Sequence, residues 1–231
     1  MKPKAFDYVK AATLDEAVET LARGGEDAKL LAGGMSLVPM LNFRLVEAQI
    51  LIDISRLAPM DYIKTAGDKI EIGAATRQAK LEHWPELGAK LPLLKAAFPF
   101  LGHYQTRARG TVCGSLAHAD PSSELPLCLA VLGGEVVLRS RGGERTVAAD
   151  QFQVGMLQTA KRADEMVVAA RYPVRKPGSG YAFTEMAQRR GVPPWMALER
   201  EQFRGSLRAL PARAELTMPI SEKLIVEHYS R

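Results

Sequence analysis

The stretch Lys29-Leu-Leu-Ala-Gly-Gly-Met-Ser-Leu-Val-Pro-Met-Leu-Asn-Phe-Arg-Leu45 decides how the first part of the chain folds. Lys29 to Ala32 is a short apolar run that reads as a strand. It stops at Gly33-Gly34, and a second apolar run opens behind Ser36, the grammar of a strand turning into a helix. Glycine lacks Cβ, so the backbone at Gly33-Gly34 can turn sharply and approach a ligand closely. The first N–H groups of a helix that starts there have no intrahelical partner and favour a phosphate, with the Ser36 hydroxyl as an added donor. A tight turn without a ligand uses the same residues, so this stretch alone leaves both readings open.

Working outward, Thr13-Leu-Asp-Glu16 forms a capping box that opens a helix with Leu14, Ala17, Val18 and Leu21 on one face, closed by Gly24-Gly25. Gln49 to Ile54, QILIDI, is a second strand, so residues 1–55 read as a compact βαβ-type unit. Residues 56–176 form a larger middle region. KIEIGAAT (69–76) alternates as a strand, and Thr76 opens a helix. LPLLKAAFPFLG (91–102) is an apolar helix broken near Pro99 and Gly102, and ELPLCLAVLGG (124–134) is a buried helix. EVVLRS, ERTVAA and DEMVVAARYP are antiparallel strand candidates, and helices mixed with such strands indicate an α+β fold. RKPGSGYAF reads as a linker into a third segment, 177–231, which from Val192 onward lacks sustained strand alternation and offers one short helix from Ala197.

Composition sets the outer limits. The chain has 231 residues, 47% hydrophobic and 25% charged, enough for a real core in an ordinary globular protein. No window nears 18 continuous apolar residues and the N-terminus lacks an apolar signal region, so a cytoplasmic protein without a membrane span is expected. The net charge of +5 comes from scattered basic residues, which disfavours nucleic acid as a partner. Two cysteines, Cys113 and Cys128, cannot hold a zinc ion or an iron–sulfur cluster alone.

A second stretch, Arg109 to Pro126, RGTVCGSLAHADPSSELP, repeats the grammar of the first. A small-residue turn, Thr111 to Ser115, precedes a helix starting near Glu124. Gly110 and Gly114 allow close approach, while Thr111 and Ser115 supply hydroxyls. Two such loops can converge on the two phosphates of one dinucleotide. No G-x-G-x-x-G fingerprint and no Gly-Lys-Ser/Thr loop is present, which suits a flavin better than a nicotinamide or a nucleoside triphosphate.

AGGMSLVPMLNFRL together with RGTVCGSLAHADPSSELP resembles the FAD-binding medium subunit of molybdenum hydroxylases, the group that includes xanthine, carbon monoxide and N-heterocycle dehydrogenases. The resemblance spans about Lys2 to Arg190. It implies a two-subdomain FAD-binding fold of the vanillyl-alcohol oxidase-like (PCMH) type, divided at 1–55 and 56–176, with a shortened C-terminal α+β segment at 177–231. It implies that Leu30, Leu31, Ala32, Gly33, Gly34, Met35, Ser36 and Leu37 wrap the flavin's pyrophosphate. Thr111, Val112, Cys113, Gly114 and Ser115 would contact its other side, Glu124 would stand near the adenosine ribose, and Leu101 near the flavin ring or adenine. Cys113 reads first as a packed small side chain and Cys128 as core. Asp120 is the competing acidic candidate to Glu124 or else a turn residue before Pro121, and Arg107 and Arg109 either meet phosphate or are ion-paired or solvated. His118 is either near the flavin edge or in a structural hydrogen bond.

The sequence shows no nucleophile–base pair and no metal-ligand cluster, so a cofactor would carry the chemistry. The resemblance implies an electron-transfer subunit of an oxidoreductase. It would take electrons from the [2Fe–2S] clusters of a small subunit, downstream of a large molybdenum-cofactor subunit, and pass them to an external acceptor. A dimer of heterotrimers is the expected assembly. Relatives continue after an RR-x-GD-x-A segment, whereas this chain has QRRGVPPWMALERE and ends soon after. That departure keeps two alternatives: a non-catalytic remnant or scaffold without FAD, and another nucleotide-binding oxidoreductase.

Overall fold

The computed structural model describes residues 2–184 and, beyond them, the backbone of Met196–Glu199 and Arg204–Leu207. The chain divides into two units, Met1–Thr184 and Glu185–Arg231. The first begins with β1 (Asp7–Lys10), α1 (Leu14–Gly24), β2 (Ala28–Leu31), α2 (Leu37–Asn42) and β3 (Ile50–Asp53). The three strands form one parallel sheet in the order β1-β3-β2. α1 starts where its capping box predicts. Thr13 Oγ1 accepts the Glu16 N–H at 3.1 Å, and Glu16 Oε2 reaches back to the N–H of Ala12 at 2.7 Å. Strand β1 has no counterpart in the sequence reading, because its four residues offer no buried face that would produce alternation.

The chain continues through β4 (Ile63–Ala66), β5 (Lys69–Gly73), α3 (Gln78–Glu82), α4 (Leu87–Lys90), α5 (Pro92–Ala97), α6 (Tyr104–Arg109), α7 (Val112–His118) and α8 (Glu124–Val131). It then forms β6 (Glu135–Ser140), β7 (Gly143–Ala148), α9 (Ala149–Phe152), β8 (Gln153–Gly155), β9 (Gln158–Thr159) and β10 (Met166–Pro173). Five strands make an antiparallel sheet in the order β4-β5-β10-β6-β7. One face of it packs Ile70, Ile72, Val136, Leu138 and Tyr172 against Leu94, Leu116 and Leu129 from the helices, forming the main core. On the opposite face, Val137, Met166 and Val168 meet Ala17, Leu21, Ile52 and Ile54, so a second core joins the two sheets.

Three sequence expectations need correction. The helix expected at Thr76 starts at Gln78, because Thr76 is occupied otherwise: its hydroxyl donates to the Tyr62 carbonyl at 2.9 Å and its carbonyl accepts the Val112 N–H at 3.1 Å. The apolar helix of 91–102 is shorter than expected; α5 ends at Ala97 and a 3₁₀ turn, Phe98–Phe100, takes over at Pro99. The short helix expected from Ala197 is a strand, β11 (Met196–Glu199), paired antiparallel with β12 (Arg204–Leu207). Met, Ala, Leu and Glu all favour helix, but one turn of helix is too short to hold without packing, and strand pairing prevails. The rest of the expected C-terminal segment, 185–195, 200–203 and 208–231, lies outside the described residues.

Where the second core stops, the same sheet face carries a charged ladder. Arg171 on β10 stands opposite Glu71 on β5 and Glu135 on β6. Its Nε meets Glu71 Oε2 at 2.6 Å and its Nη1 meets Glu135 Oε1 at 3.3 Å. Lys64 Nζ and the Tyr62 hydroxyl both donate to Glu71 Oε1 at 2.9 Å. Burial opposes ionisation of Glu71, but the hydrogen bonds from Lys64, Arg171 and Tyr62 overcome it and bring its carboxyl down to about 2. A depressed carboxyl stabilises the fold above its unfolded value near ~4.3 and loses that contribution as pH falls towards the folded value. Urea unfolding of the chain should therefore show little pH dependence from this group between pH 7 and 5 and a loss of about 3 kcal/mol from it between roughly pH 4.5 and 2. Glu71→Gln should remove that part of the acid dependence and destabilise the chain at pH 7; an unchanged acid limb would refute the assignment.

Candidate functional site

The first glycine loop leaves from a fixed point. Leu31, the last residue of β2, accepts the Ile54 N–H at 2.9 Å, and Ala32 to Ser36 then run to the start of α2. Gly34 has φ 74°, a conformation that side chains rarely adopt. Among the described residues, the backbone N–H groups of Gly33, Gly34, Met35 and Ser36 have no hydrogen-bond acceptor, and the Ser36 side chain caps nothing. Leu31 and Leu37 pack against Leu41, Ala48 and Leu51, while Leu30 and Ala32 pack into the core between the sheets. The loop thus turns its apolar side chains inward and leaves a row of donors without acceptors.

The second loop lies directly against the first. A Cβ placed on Gly33 would stand 2.4 Å from the Arg109 carbonyl oxygen and 2.6 Å from Gly110 Cα, distances no real side chain tolerates. The bare Cα of Gly33 makes room for the other loop's backbone, and the two loops interlock. Gly110 is held from beneath by Gln78, whose backbone N–H donates to the Gly110 carbonyl at 2.8 Å and whose Nε2 reaches the Thr111 carbonyl at 3.5 Å. Gln78 Oε1 is buried and has no partner among the described residues.

What reads as a small-residue turn from Thr111 to Ser115 is the first part of α7. Thr111 Oγ1 accepts the Gly114 N–H at 3.0 Å and starts the helix, and buried Val112, Cys113 and Leu116 anchor it to the main core. Cys113 Sγ lies 3.5 Å from the Ile72 carbonyl, and burial pushes its thiol up to about 12, which keeps it protonated and inert. Cys128 is fully buried and is likewise pushed up to about 12 by burial. Gly114 and Ser115 are half-buried, and Ser115 Oγ sits 2.8 Å from Ser123 Oγ. Glu124 is half-buried at the start of α8.

Of the residues expected at the site, the interlock brings together those of the two loops. Leu101 has its side chain in the main core and its carbonyl taken by Arg107 Nη1 at 2.9 Å. Arg107 also pairs with Glu82 at 2.8 Å, an ion-paired arginine. Asp120 is a turn residue: its Oδ1 accepts the Ser122 N–H at 2.9 Å and the Ser122 hydroxyl at 2.7 Å, and these bonds hold its carboxyl below the usual range. His118 ends α7 half-buried. Sequence reasoning missed Gln78, a polar residue at a helix start with no motif around it, and gave Ser123 no role of its own.

An array of unpaired N–H groups and hydroxyls, wrapped around a backbone contact, matches a diphosphate, which brings acceptors only. Among the described residues no group of three or more His, Cys, Asp or Glu side chains is placed to hold a metal ion, and no helix is long and apolar enough to cross a membrane.

Residues 4–175 match the family described as the FAD binding domain in molybdopterin dehydrogenase. The chain is 42% identical over 191 residues to the 6-hydroxypseudooxynicotine dehydrogenase complex subunit alpha of Paenarthrobacter nicotinovorans, covering 83% of this chain and 64% of that one. It is 35% identical over 192 residues to the caffeine dehydrogenase subunit beta of Pseudomonas sp. (strain CBB1), covering 83% and 65%. Among solved structures, a carbon monoxide dehydrogenase from Hydrogenophaga pseudoflava that lacks the Mo-pyranopterin moiety superposes with a TM-score of 0.78 at 37% identity, over 81% of this chain and 66% of that one. The chain thus spans just under two thirds of the length of these relatives. With three quarters of its length inside the matched region and a fold shared with those proteins, the chain belongs to the family of FAD-binding domains of molybdopterin dehydrogenases.

Proposed function

We propose that this chain is the FAD-binding, electron-transfer subunit of a molybdenum-containing hydroxylase or dehydrogenase. The observation that carries the proposal is the interlock of Gly33 with Arg109 and Gly110, which sets the two loops backbone against backbone. Residues 1–55 supply one half of the site and 56–176 the other. The backbone of Leu30 to Leu37 faces the diphosphate from one side, and Thr111 to Ser115 face it from the other. Val112 and Cys113 turn their side chains into the core and the Thr76 carbonyl takes the Val112 N–H, so of these two only the Cys113 backbone N–H is offered, while Ser36 and Ser115 contribute hydroxyls. Glu124 accepts from the adenosine ribose, and Leu101 supports the flavin pocket from within the core.

When bound, FAD supplies the redox chemistry by which electrons from the [2Fe–2S] clusters of a small partner subunit reach an external acceptor. The chain's own part is to hold the cofactor's anionic bridge in an array of fixed dipoles, which need no reorganisation when the ligand arrives. The molybdenum cofactor and the substrate belong to a large partner subunit, in a dimer of heterotrimers, in the cytoplasm. Relatives carrying the names complex subunit alpha and medium chain support a multi-subunit assembly.

An absorbance titration of the purified chain with FAD, alone and with its partner subunits, tests this reading. Flavin bands saturating near one FAD per chain are expected; a colourless chain under both conditions would reject it in favour of a scaffold without cofactor. Gly33→Ala should weaken FAD binding by about tenfold to a hundredfold, the equivalent of the ~1–3 kcal/mol that overpacking costs, because the added methyl pries the loops apart. Cys113 should resist alkylation by iodoacetamide at pH 8 in the folded chain and react only after denaturation; rapid native labelling would show an exposed thiolate and refute its structural role.

A further inference from the structure

Resting on the flavin reading above, we propose that Ser123 is a positioning residue for the cofactor's diphosphate, acting through Ser115. The two hydroxyl oxygens are 2.8 Å apart and joined by a hydrogen bond. Each hydroxyl has one proton and two lone pairs, so one of them donates to the other. If Ser123 donates, the proton of Ser115 is left free for an anionic oxygen. If Ser115 donates, it has nothing to offer a ligand. An arriving phosphate therefore selects the first arrangement, and the chain phosphate–Ser115–Ser123 polarises in one direction, which strengthens both bonds.

Two features separate this role from a structural one. Ser123 occupies the N-cap position of α8, where a serine side chain ordinarily accepts a helix N–H, yet its side chain makes no such bond. Its hydroxyl is turned to Ser115 instead, so the helix does not depend on it. Ser123 is also well fixed by its backbone: its N–H donates to the Asp120 carbonyl at 3.0 Å, inside the turn that the Asp120 carboxylate holds through Ser122. The preceding residue, Ala119, is in the left-handed region at φ 53° and accepts the Leu157 N–H at 3.0 Å, which ties the turn to the β8–β9 hairpin. A hydroxyl on so fixed a backbone can hold the rotamer of Ser115, whose own N–H donates to the Thr111 carbonyl one turn earlier at 3.2 Å.

The test compares the full chain with Ser115→Ala, Ser123→Ala, the double variant and Ser123→Thr, reading the FAD dissociation constant by quenching of flavin fluorescence and the thermal midpoint without ligand. Ser123→Ala should weaken FAD binding about tenfold, in line with a hydrogen bond that serves a charged group, and leave the ligand-free midpoint unchanged. The double variant should bind no more weakly than Ser115→Ala alone, since Ser123 acts only through it. Ser123→Thr, which keeps the hydroxyl, should bind within about twofold of the parent. Parent-like binding by Ser123→Ala, or losses that multiply in the double variant, would overturn the proposal and leave the flavin reading intact. A parent chain that binds no FAD even with its partner subunits would overturn both.

Discussion

The contact of Gly33 with the backbone of Arg109 and Gly110 is the constraint on which the rest of the site depends. It joins residues 76 positions apart and does so without a side chain, so no rotamer adjustment can relieve a misfit. Each partner is anchored to a different sheet. The first loop leaves β2 where Leu31 is bonded to Ile54 beside β3. The second is tied to the segment after β5 by reciprocal backbone bonds, Gln78 N–H to Gly110 and Val112 N–H to Thr76. The relative placement of the two sheets therefore sets the width of the site.

That placement comes from the second core. Ala17 and Leu21 of α1 and Ile52 of β3 meet Val137, Met166 and Val168 on one face of the antiparallel sheet. Apolar contact of this kind is strong but not directional, and on its own it would allow the sheets to slide. Directional groups flank it. Arg139 pairs with Asp15 at 3.6 Å and Arg141 with Glu19 at 3.1 Å, linking β6 and the turn after it to α1. These pairs are exposed and each contributes a few tenths of a kcal/mol at most, so their effect lies in orientation more than in stability. The Glu71–Arg171–Glu135 ladder performs the equivalent task within the sheet, fixing the register of three strands where the second core stops.

Much of this was legible because the determining signals are local. The capping box at Thr13, the strands of the antiparallel sheet and the strand–glycine–helix grammar at Gly33 each follow from neighbours in sequence. The misses have a common cause in contacts made from afar. Thr76 resembles a helix start, but Tyr62 and Val112 claim its polar groups. Thr111 to Ser115 look like a turn, since Thr, Gly and Ser are indifferent helix formers, yet the Thr111 cap and the burial of Val112 and Leu116 hold them helical. The glycine motif itself was recognisable, but the reason for Gly33 was not, because the atoms that exclude its Cβ belong to residues 109 and 110.

The same distinction separates the two adjacent glycines. Gly34 is needed for its positive φ, and a Cβ there would also crowd the ends of the Leu31 and Val38 side chains at 3.0 and 3.1 Å, neighbours that can shift. Gly33 is needed because another backbone fills the space, a requirement that no other residue meets. A loop that only had to turn would use the first kind of glycine; one that must also hold a second loop at a fixed distance uses the second. The pair at 33–34 combines both within two residues, so the strand end is redirected and docked in one step. The unpaired N–H groups that follow are consequently carried by backbone with little freedom left to lose, and an anion bridging the two loops meets donors already fixed in place.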